Sequence, residues 1–387
     1  MKVVVTGGGT AGHVTPLLAV ASELKHQHPR AEIRYIGNVG DKFAHLADES
    51  DSIDGSWRIL AGKFRRFHGV SKLVYVKDLR IVLRNIRDFF YFIIGFIQSI
   101  WLFIWWRPNV VFVKGGFVGL PVGLAAALLR IPIVTHDSDT LPGLTNRVLA
   151  RFATVTAVAM PESFYSYPKH KLRHTGLPLR AEYSLVTAEQ QTQAKQQLGI
   201  PGDAFVTVVV GGSLGAVRLN DAVMAIAEQY LAQSEQNWLV HLSGAHQAAA
   251  VQDFYKSLPP EMAKRCLTWA FREDLYAVTA AADVIISRAG SSIHELSVQQ
   301  KAVILVPNPV LTGGHQTVNA RAIASMQAAA VVTEKELSET QAQVLFDVLL
   351  VLRQSSQARA ELAAALGQLA VPNATSKIVS VIVEAAR

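Results

Sequence analysis

The sequence predicts an α/β protein with two domains, each built on a parallel β-sheet. The length of 387 residues exceeds what a single hydrophobic core usually organises. Short β-branched runs alternate with helical patterns along the whole chain, which is typical of parallel sheets. The strand, glycine-rich turn and helix start of residues 3–16 are echoed by residues 206–216. Two such units predict two Rossmann-like domains that face each other across a cleft.

The strands are predicted from short runs rich in valine and isoleucine. They cover residues 3–6, 33–36, 110–113, 131–135, 206–210, 238–242, 284–287 and 303–306. A stretch with glycine and proline, residues 175–180, interrupts the alternation before a helical segment. We therefore predict an N-terminal domain over residues 1–176 and a C-terminal domain over residues 177–370. Residues 371–387 are expected to form a helix that packs back on the N-terminal domain.

The composition suits a protein with two ample cores. Apolar residues make up 50% of the chain and charged residues 17%. The single cysteine, Cys266, excludes an intramolecular disulfide and a cysteine-rich zinc site. Because Met1 and Lys2 lead directly into a strand, no signal peptide is expected, and the cytoplasm is the expected compartment.

Residues 89–106 form an uncharged apolar run at the lower length limit for a membrane span. Residues 58–87, just before it, hold nine lysines and arginines and one acidic residue. Within the run, the least apolar residues, Gly95, Gln98 and Ser99, fall on one stripe of a helix. Basic residues that lead into tryptophan and phenylalanine are typical of a helix in the interface of an anionic membrane.

Three arrangements of this segment remain open. A helix that crosses the bilayer would disrupt the sheet, because the next strand, residues 110–113, belongs beside residues 3–6. We therefore expect a helix docked on an anionic membrane surface with one face in the protein core. A wholly buried helix and a true span or re-entrant hairpin are the alternatives. Nucleic acid is not an expected partner, since the aromatic residues cluster in the apolar run and do not alternate with lysine and arginine.

Glycine-bearing turns follow several predicted strands. They lie at residues 7–12, 115–116, 211–215 and 288–292. Backbone N–H groups can crowd a phosphate where side chains are absent, and a following helix directs its positive end to the same place. Residues 7–12 also fit a dinucleotide fingerprint, but no acidic residue closes the second strand, so an oxidoreductase is disfavoured. His13 is the nearest titratable group to this first turn.

The second half of the chain offers groups that can bind a sugar nucleotide. Glu295 follows the fourth turn and can accept hydrogen bonds from sugar or ribose hydroxyls, while the helix start can stabilise a diphosphate leaving group. The alternative is that Arg288 and Glu295 form only a surface ion pair. Gln316 and Asn319, at another helix start, can bind hydroxyls or an acetamido group.

Asp137 and Asp139 form an Asp-x-Asp tripeptide, a pattern that holds a divalent metal in some transferases of another fold. The tripeptide is short and common by chance. The two-domain repeat also differs from the single-domain architecture of those transferases. No metal site is therefore expected.

Taken together, these segments resemble the MurG family, the undecaprenyldiphospho-muramoylpentapeptide β-N-acetylglucosaminyltransferases of glycosyltransferase family 28. The segments are GGTAGHVTP (8–16), KGGFV (114–118), HDSDTLPGLTN (136–146), GGSLGA (211–216) and QTVNA (316–320). Their order and spacing match over nearly the whole chain, and residues 62–66 look like the acceptor-side basic loop of many members.

The resemblance implies a GT-B fold and an inverting transfer that needs neither a metal nor another cofactor. N-acetylglucosamine would pass from UDP-GlcNAc to the 4-hydroxyl of the N-acetylmuramoyl-pentapeptide of lipid I, and the product would be lipid II for peptidoglycan. The enzyme would be peripheral, on the cytoplasmic side of the cell membrane. Alternatives are another GT-B enzyme, either a glycolipid synthase or a UDP-GlcNAc 2-epimerase, and a membrane-docked subunit that only binds the sugar nucleotide.

The resemblance also implies the roles of individual residues. His13 is the expected general base, or else it positions the acceptor or a phosphate, and Glu295 matches the acid that holds the ribose. The expected donor-site residues are Thr10, Ala11, Gly12, Arg180, Gly212, Ser213, Arg272, Gly290, Ser291, Glu295, His315 and Gln316. The expected acceptor-side residues are Lys63, Arg65, Gly116 and Asp139. Arg272 departs from the family pattern, because it replaces an aliphatic residue near the uracil.

Overall fold

The structure is a computed structural model that describes residues 1–8, 11–63, 79–212 and 215–387. For residues 11–13, 79, 311 and 312 it describes the backbone alone. The chain divides into two compact units. Unit 1 comprises Met1–Arg180 and Val371–Arg387, and unit 2 comprises Ala181–Ala370.

The strands of both units are short and mostly buried. In chain order they are β1 (Lys2–Thr6), β2 (Glu32–Asn38), β3 (Gly55–Ile59), β4 (Val110–Val113), β5 (Ile133–Asp137), β6 (Val155–Val158), β7 (Leu172–His174), β8 (Phe205–Val210), β9 (Asn237–Leu242), β10 (Cys266–Trp269), β11 (Val284–Ser287), β12 (Ala302–Leu305) and β13 (Ala330–Val331).

The α-helices connect these strands and follow the last of them. They are α1 (Ala11–Gln27), α2 (His45–Asp48), α3 (Leu79–Trp106), α4 (Gly116–Leu128), α5 (Leu144–Leu149), α6 (Ala188–Gln197), α7 (Val217–Ala232), α8 (Ala248–Ser257), α9 (Pro260–Ala263), α10 (Leu275–Ala280), α11 (Ser292–Val298), α12 (His315–Ser325), α13 (Glu334–Glu339), α14 (Gln343–Gln354), α15 (Ser356–Gly367) and α16 (Ala374–Ala385). Short 3₁₀ turns lie at Glu162–Phe164, Lys169–Lys171 and Leu311–Gly314.

The sheet of unit 1 has seven parallel strands in the order β3-β2-β1-β4-β5-β6-β7. In β1, Val3 pairs with Ile33 of β2 on one side and with Val110 of β4 on the other. The order therefore reverses between β1 and β4. Such a reversal opens a crevice at the carboxyl ends of the strands, where ligands bind in open α/β sheets.

Helices cover both faces of this sheet, which is why its central strands are almost entirely apolar. Alternate residues point to opposite faces. Val3 and Val5 contribute to a cluster with α1 and α16, whereas Val4 packs with residues of α3 and α4. The C-terminal helix α16 thus belongs to the core of unit 1, where Ile378 and Ile382 are fully buried.

The sheet of unit 2 has six parallel strands in the order β10-β9-β8-β11-β12-β13. Its core joins the strands to α7 through Leu219, Val223 and Ile226, and to α14 through Leu345 and Leu349. The strand order reverses between β8 and β11, as it does between β1 and β4. The prediction of an α/β protein with two parallel sheets is confirmed.

Candidate active site

The crevice of unit 1 is formed by two glycine turns whose backbones touch. Gly8 follows β1, and Gly116 follows β4 with φ +79°. A Cβ on Gly116 would lie 2.6 Å from the carbonyl oxygen of Gly8, which is closer than real Cβ atoms approach backbone. Glycine is therefore required at Gly116 for two reasons, the left-handed φ and the lack of space.

Lys114 lies beside these turns and is a buried cation. It directly follows β4, it is only 2% exposed, and its Nζ donates a hydrogen bond to Ser138 Oγ. Burial lowers the pKa of Lys114 to about 8, while the charges of Asp137 and Asp139 act to raise it. The cation thus ties the end of β4 to the turn after β5.

Asp137, the last residue of β5, is the buried anion of this cluster. Burial raises the pKa of Asp137 to about 6, and hydrogen bonds from Asn146 and Tyr167 oppose this shift. Asn146 Nδ2 and Tyr167 Oη each donate to the carboxylate at 2.9 Å. Within the described part of the chain, no group of three or more histidine, cysteine or acidic residues is placed to hold a metal ion.

The crevice of unit 2 has the same design. Gly212 and Gly215 follow β8 with φ +87° and +80°, and a Cβ on Gly215 would lie 2.5 Å from the carbonyl oxygen of Ser243. The neighbouring turn, residues 288–291, follows β11. Because these glycines have no side chains, the backbone N–H groups of the turns can approach a phosphate group closely.

Helix α12 braces the turn after β11. Asn319 Nδ2 donates to the carbonyl oxygen of Ala289 at 3.0 Å, and Gln316 Oε1 accepts from the backbone N–H of Asn308 at 2.9 Å. The Nε2 atom of Gln316 lies 4.0 Å from the position of a Cβ on Gly290. The amide of Asn319 therefore supports the backbone of the turn, and the amide nitrogen of Gln316 lies beside it.

Arg288 is not part of a surface ion pair, so that alternative is wrong. Its side chain is 9% exposed, and its Nη1 lies 2.7 Å from Oε1 of Glu334, the first residue of α13. The same nitrogen donates to the carbonyl oxygen of Val306 at 2.9 Å. A buried guanidinium needs such partners, because an uncompensated charge in the interior is costly.

Arg272 stands after β10 in a fixed orientation. Its Nε donates to Asp274 Oδ1 at 2.7 Å, and its guanidinium carbon lies 4.7 Å from the ring centroid of Trp269. The hydrogen bond from Arg272 lowers the pKa of Asp274. Arg272 thus presents a planar cation on an aromatic face at the carboxyl edge of the sheet.

The remaining predicted residues divide between the two units. In unit 1, Ala11, Gly12 and His13 open α1, where only their backbone is described. Lys63 and Arg180 are exposed, and Asp139 is half-buried beside Ser138. The predicted residues Thr10, Arg65 and Ser213 lie outside the described residues.

In unit 2, the predicted residues lie at the carboxyl edge of the sheet. Ser291 is exposed and immediately precedes α11, in which Glu295 is half-buried. His315, also half-buried, is the first residue of α12. The unit therefore brings Gly212, Gly290, Ser291 and the start of α12 to the end of the sheet at which β8 and β11 terminate.

Sequence reasoning did not place several residues of these clusters. The position of Lys114 could have been predicted, because a lysine between a short apolar strand and a glycine turn lies at the carboxyl end of that strand, where the crevice is. Those of Tyr167 and Glu334 could not, since their partners, Asp137 and Arg288, lie far away along the chain.

Helix α3 presents its apolar side chains to the outside. Gly95 packs so closely that a Cβ on it would lie 1.9 Å from the carbonyl oxygen of Leu60, and Gln98 Oε1 accepts from the backbone N–H of Leu60 at 2.9 Å. Ser99 is fully buried. The exposed apolar residues of α3 are Leu83, Ile86, Phe89, Phe90, Ile94, Ile97, Trp101, Ile104 and Trp105. The alternative of a wholly buried helix is therefore wrong.

Among the described residues, Arg80–Trp106 is one helix that is long and apolar enough to cross a membrane, judged by length and composition alone. Of the most apolar 18-residue stretch of this helix, 22% is buried inside the protein. The stripe of small and polar residues on α3 faces the protein, and its apolar residues face outward. An exposed apolar patch of this size is typical of a surface that binds a partner or a membrane.

Two α/β units, each with a reversed strand order and glycine turns at the reversal, define the class of GT-B proteins. The chain matches the N-terminal domain of glycosyltransferase family 28 over residues 3–158 and the C-terminal domain of that family over residues 206–378. The chain belongs to glycosyltransferase family 28, as its sequence motifs predicted.

Curated relatives of this family match over the full length. The chain is 34% identical to the UDP-N-acetylglucosamine--N-acetylmuramyl-(pentapeptide) pyrophosphoryl-undecaprenol N-acetylglucosamine transferase of Moorella thermoacetica, over 99% of both chains. It is 32% identical to the protein of the same name from Halalkalibacterium halodurans, over 100% of both.

Solved structures agree with the fold. The crystal structure of Acinetobacter baumannii MurG is similar with a TM-score of 0.73 and 26% identity, over 99% of both chains. A UDP-GlcNAc 2-epimerase from Neisseria meningitidis, bound to UDP-GlcNAc, is similar with a TM-score of 0.64. At 14% identity, over 99% of this chain and 100% of that one, this second likeness shows the fold alone.

Proposed function

We propose that this glycosyltransferase moves N-acetylglucosamine from UDP-GlcNAc to the 4-hydroxyl of the N-acetylmuramoyl-pentapeptide of lipid I, and so makes lipid II for peptidoglycan. The observation that carries this function is the 34% identity, over 99% of both chains, with a relative named for this transfer. A 2-epimerase is not favoured, because the likeness to epimerases is confined to the fold.

The donor binds to unit 2 in this proposal. Gly212 and the turn with Gly290 and Ser291 offer backbone N–H groups to the diphosphate, together with the positive end of the long helix α7. Ser213 belongs to the same site in this proposal. Glu295 accepts hydrogen bonds from the ribose, and Gln316 and His315 bind the sugar. Arg272 lies near the uracil.

The acceptor binds to unit 1. Gly116 and Asp139 line its crevice, and the basic residues Lys63 and Arg65 approach the acceptor diphosphate. The buried Lys114 adds a positive charge behind the turn with Asp139, and this charge favours an anionic acceptor.

The reaction then proceeds by a single displacement. His13 removes the proton from the acceptor 4-hydroxyl, the oxygen forms a bond to C1 of N-acetylglucosamine, and the bond from C1 to the UDP oxygen breaks with its electron pair on UDP. The phosphate-binding turns stabilise the charge that develops on the leaving group. His13 lies in the first turn of α1 and acts as the base in its neutral form.

The enzyme meets its lipid-linked acceptor by docking α3 on an anionic membrane at the cytoplasmic side. The exposed apolar residues of α3 enter the interface, and the exposed Arg80, Arg84 and Arg87 contact lipid phosphates. The arrangement of side chains on α3 supports this orientation, because its small residues Gly95 and Ser99 face the protein while the apolar Trp101 is 70% exposed.

A reconstituted assay tests the reaction. The purified full chain is incubated with UDP-GlcNAc and a short-chain lipid I analogue, with and without EDTA, and the product is identified by mass spectrometry. We expect the disaccharide product in both cases. Absence of product would exclude the transfer, product that disappears with EDTA would point to Asp137 and Asp139 as metal ligands, and turnover of a diacylglycerol acceptor or of donor alone would identify another GT-B enzyme.

A further inference from the structure

Glu334 is a buried carboxylate that two arginines share. Its side chain is 4% exposed. Oε1 lies 2.7 Å from Nη1 of Arg288, and Oε2 accepts from Nη1 of Arg218 at 3.1 Å. Each oxygen thus serves a different arginine, so Glu334 couples two side chains that are far apart in the sequence.

The two arginines come from the two segments that flank the crevice of unit 2. Arg288 is the first residue after β11 and begins the turn that contains Gly290. Arg218 is the second residue of α7, the helix that follows the glycine turn after β8. Glu334 itself opens α13, and Arg288 also donates to the carbonyl oxygen of Val306 beyond β12. One carboxylate therefore links the turn that follows β11 to the first turn of α7.

The exposures of the three side chains give them different roles. Arg288 and Glu334 are buried, with 9% and 4% of their side chains exposed, so they compensate each other. The Arg218 side chain is 70% exposed, so it is accessible to a ligand from solvent. Two arginines and one carboxylate leave a net charge of one positive unit, which attracts a diphosphate.

We propose that Glu334 is a positioning residue for the donor diphosphate, and that the exposed guanidinium of Arg218, which Glu334 holds, contacts that diphosphate. Glu334 also fixes Arg288 beneath the turn of residues 289–291, so that the backbone N–H groups of the turn keep their direction. This inference rests on the proposed function, in which unit 2 binds the UDP group of the donor.

Calorimetry with two probes, UDP and uridine, tests the inference on the full chain. The variants are Glu334→Gln, Arg218→Met and, as the control, Glu336→Gln. Glu336 lies on the same helix but caps it through Thr333. We expect the first two variants to bind UDP about tenfold more weakly: Arg218→Met removes the charge-assisted contact to the diphosphate, and Glu334→Gln releases the Arg218 guanidinium from its position. Both of these variants should bind uridine within about twofold of wild type. The control should bind both probes as wild type does.

The ratio of UDP to uridine affinity separates positioning from general damage. An equal loss for UDP and uridine, or wild-type UDP affinity in Glu334→Gln, would overturn the inference. Arg218→Met changes an exposed side chain and tests the same contact if Glu334→Gln does not fold, so unchanged UDP affinity in that variant is equally decisive. If the wild-type chain itself binds no UDP, the proposed function fails with it.

Discussion

A methyl group on Gly116 would lie 2.6 Å from the carbonyl oxygen of Gly8, so the two glycine turns of unit 1 are in direct backbone contact. The two glycines follow β1 and β4, the strands between which the strand order reverses. The contact fixes the floor of the crevice that we assign to the acceptor. The same close approach recurs in unit 2, where Gly215 packs on Ser243.

The first prediction concerns this contact. Gly116→Ala should lower the free energy of unfolding by at least about 2 kcal/mol, because alanine meets both a left-handed φ and a backbone clash. Urea unfolding of the full chain measures the effect. Gly143→Ala is the control, since Gly143 has φ −62° and no atom within 4 Å of an added Cβ. If both variants unfold alike, the close packing at Gly116 does not exist in solution.

The second prediction concerns the charge of Lys114. Burial lowers the pKa of Lys114 from 10.5 to about 8. Between about pH 8 and pH 10.5 the unfolded chain binds more protons at Lys114 than the folded chain does. The free energy of unfolding contributed by this group therefore increases as the pH rises through this range. Below pH 8 the penalty for burying the cation is fully present.

Lys114→Met removes that dependence. The difference in unfolding free energy, wild type minus variant, should become more favourable to wild type from pH 8 to pH 10.5, by at most about 3 kcal/mol. Denaturant unfolding at several pH values measures it, and the exposed Lys377→Met serves as the control. A difference that is constant over this range would mean that Lys114 is solvated in the folded protein.

The third prediction concerns the apolar face of α3. Trp101 and Trp105 are 70% and 67% exposed. Changing both to glutamate should weaken binding to vesicles of anionic phosphatidylglycerol by at least about tenfold, because apolar area is lost and like charges are added. Co-sedimentation measures the binding. Phe152→Glu, at an exposed site elsewhere in unit 1, should bind as wild type, and equal binding by all three proteins would exclude α3 as the docking face.

The central strands could be predicted from the sequence because burial on both faces makes them continuous apolar runs. β1, β4, β8 and β11 are of this kind. The edge strands β3, β10 and β13 were not predicted, since an edge needs no such run, and the three residues of β7 are too few to form a pattern. The inner strand β6 was also missed although it is mostly buried, because a threonine and an alanine separate its two valines. β5 begins two residues later than predicted, at Ile133, because Pro132 has no N–H to give to the ladder.

The candidate site was predictable where the chain itself carries the signal. Glycine turns after strands predicted both crevices. The partners of charged groups were not predictable, because Glu334 and Arg288, or Tyr167 and Asp137, meet only through the order of strands in the sheet. The direction of α3 was also beyond the sequence, since the stripe of Gly95 and Ser99 fits either a solvated face or a close contact with Leu60.

The last prediction concerns the general base. His13→Ala should lower kcat by about 10² to 10⁴-fold, because the acceptor hydroxyl then loses its proton to water alone. His26→Ala, at an exposed position of the same helix, is the control and should retain wild-type kcat. Initial rates are measured with UDP-GlcNAc and the short-chain lipid I analogue across pH 5.5 to 8.5, a range chosen around the ordinary imidazole pKa of about 6.5.

The pH profile and the split between kcat and KM separate the two roles open to His13. If it is the base, the wild-type kcat falls as the pH drops through the range in which imidazole becomes protonated, and this limb is missing in His13→Ala. If His13 only positions the acceptor, KM for the lipid analogue rises while kcat and its pH dependence stay close to wild type. Full activity of His13→Ala would exclude both roles and leave the proton to another group of the acceptor crevice.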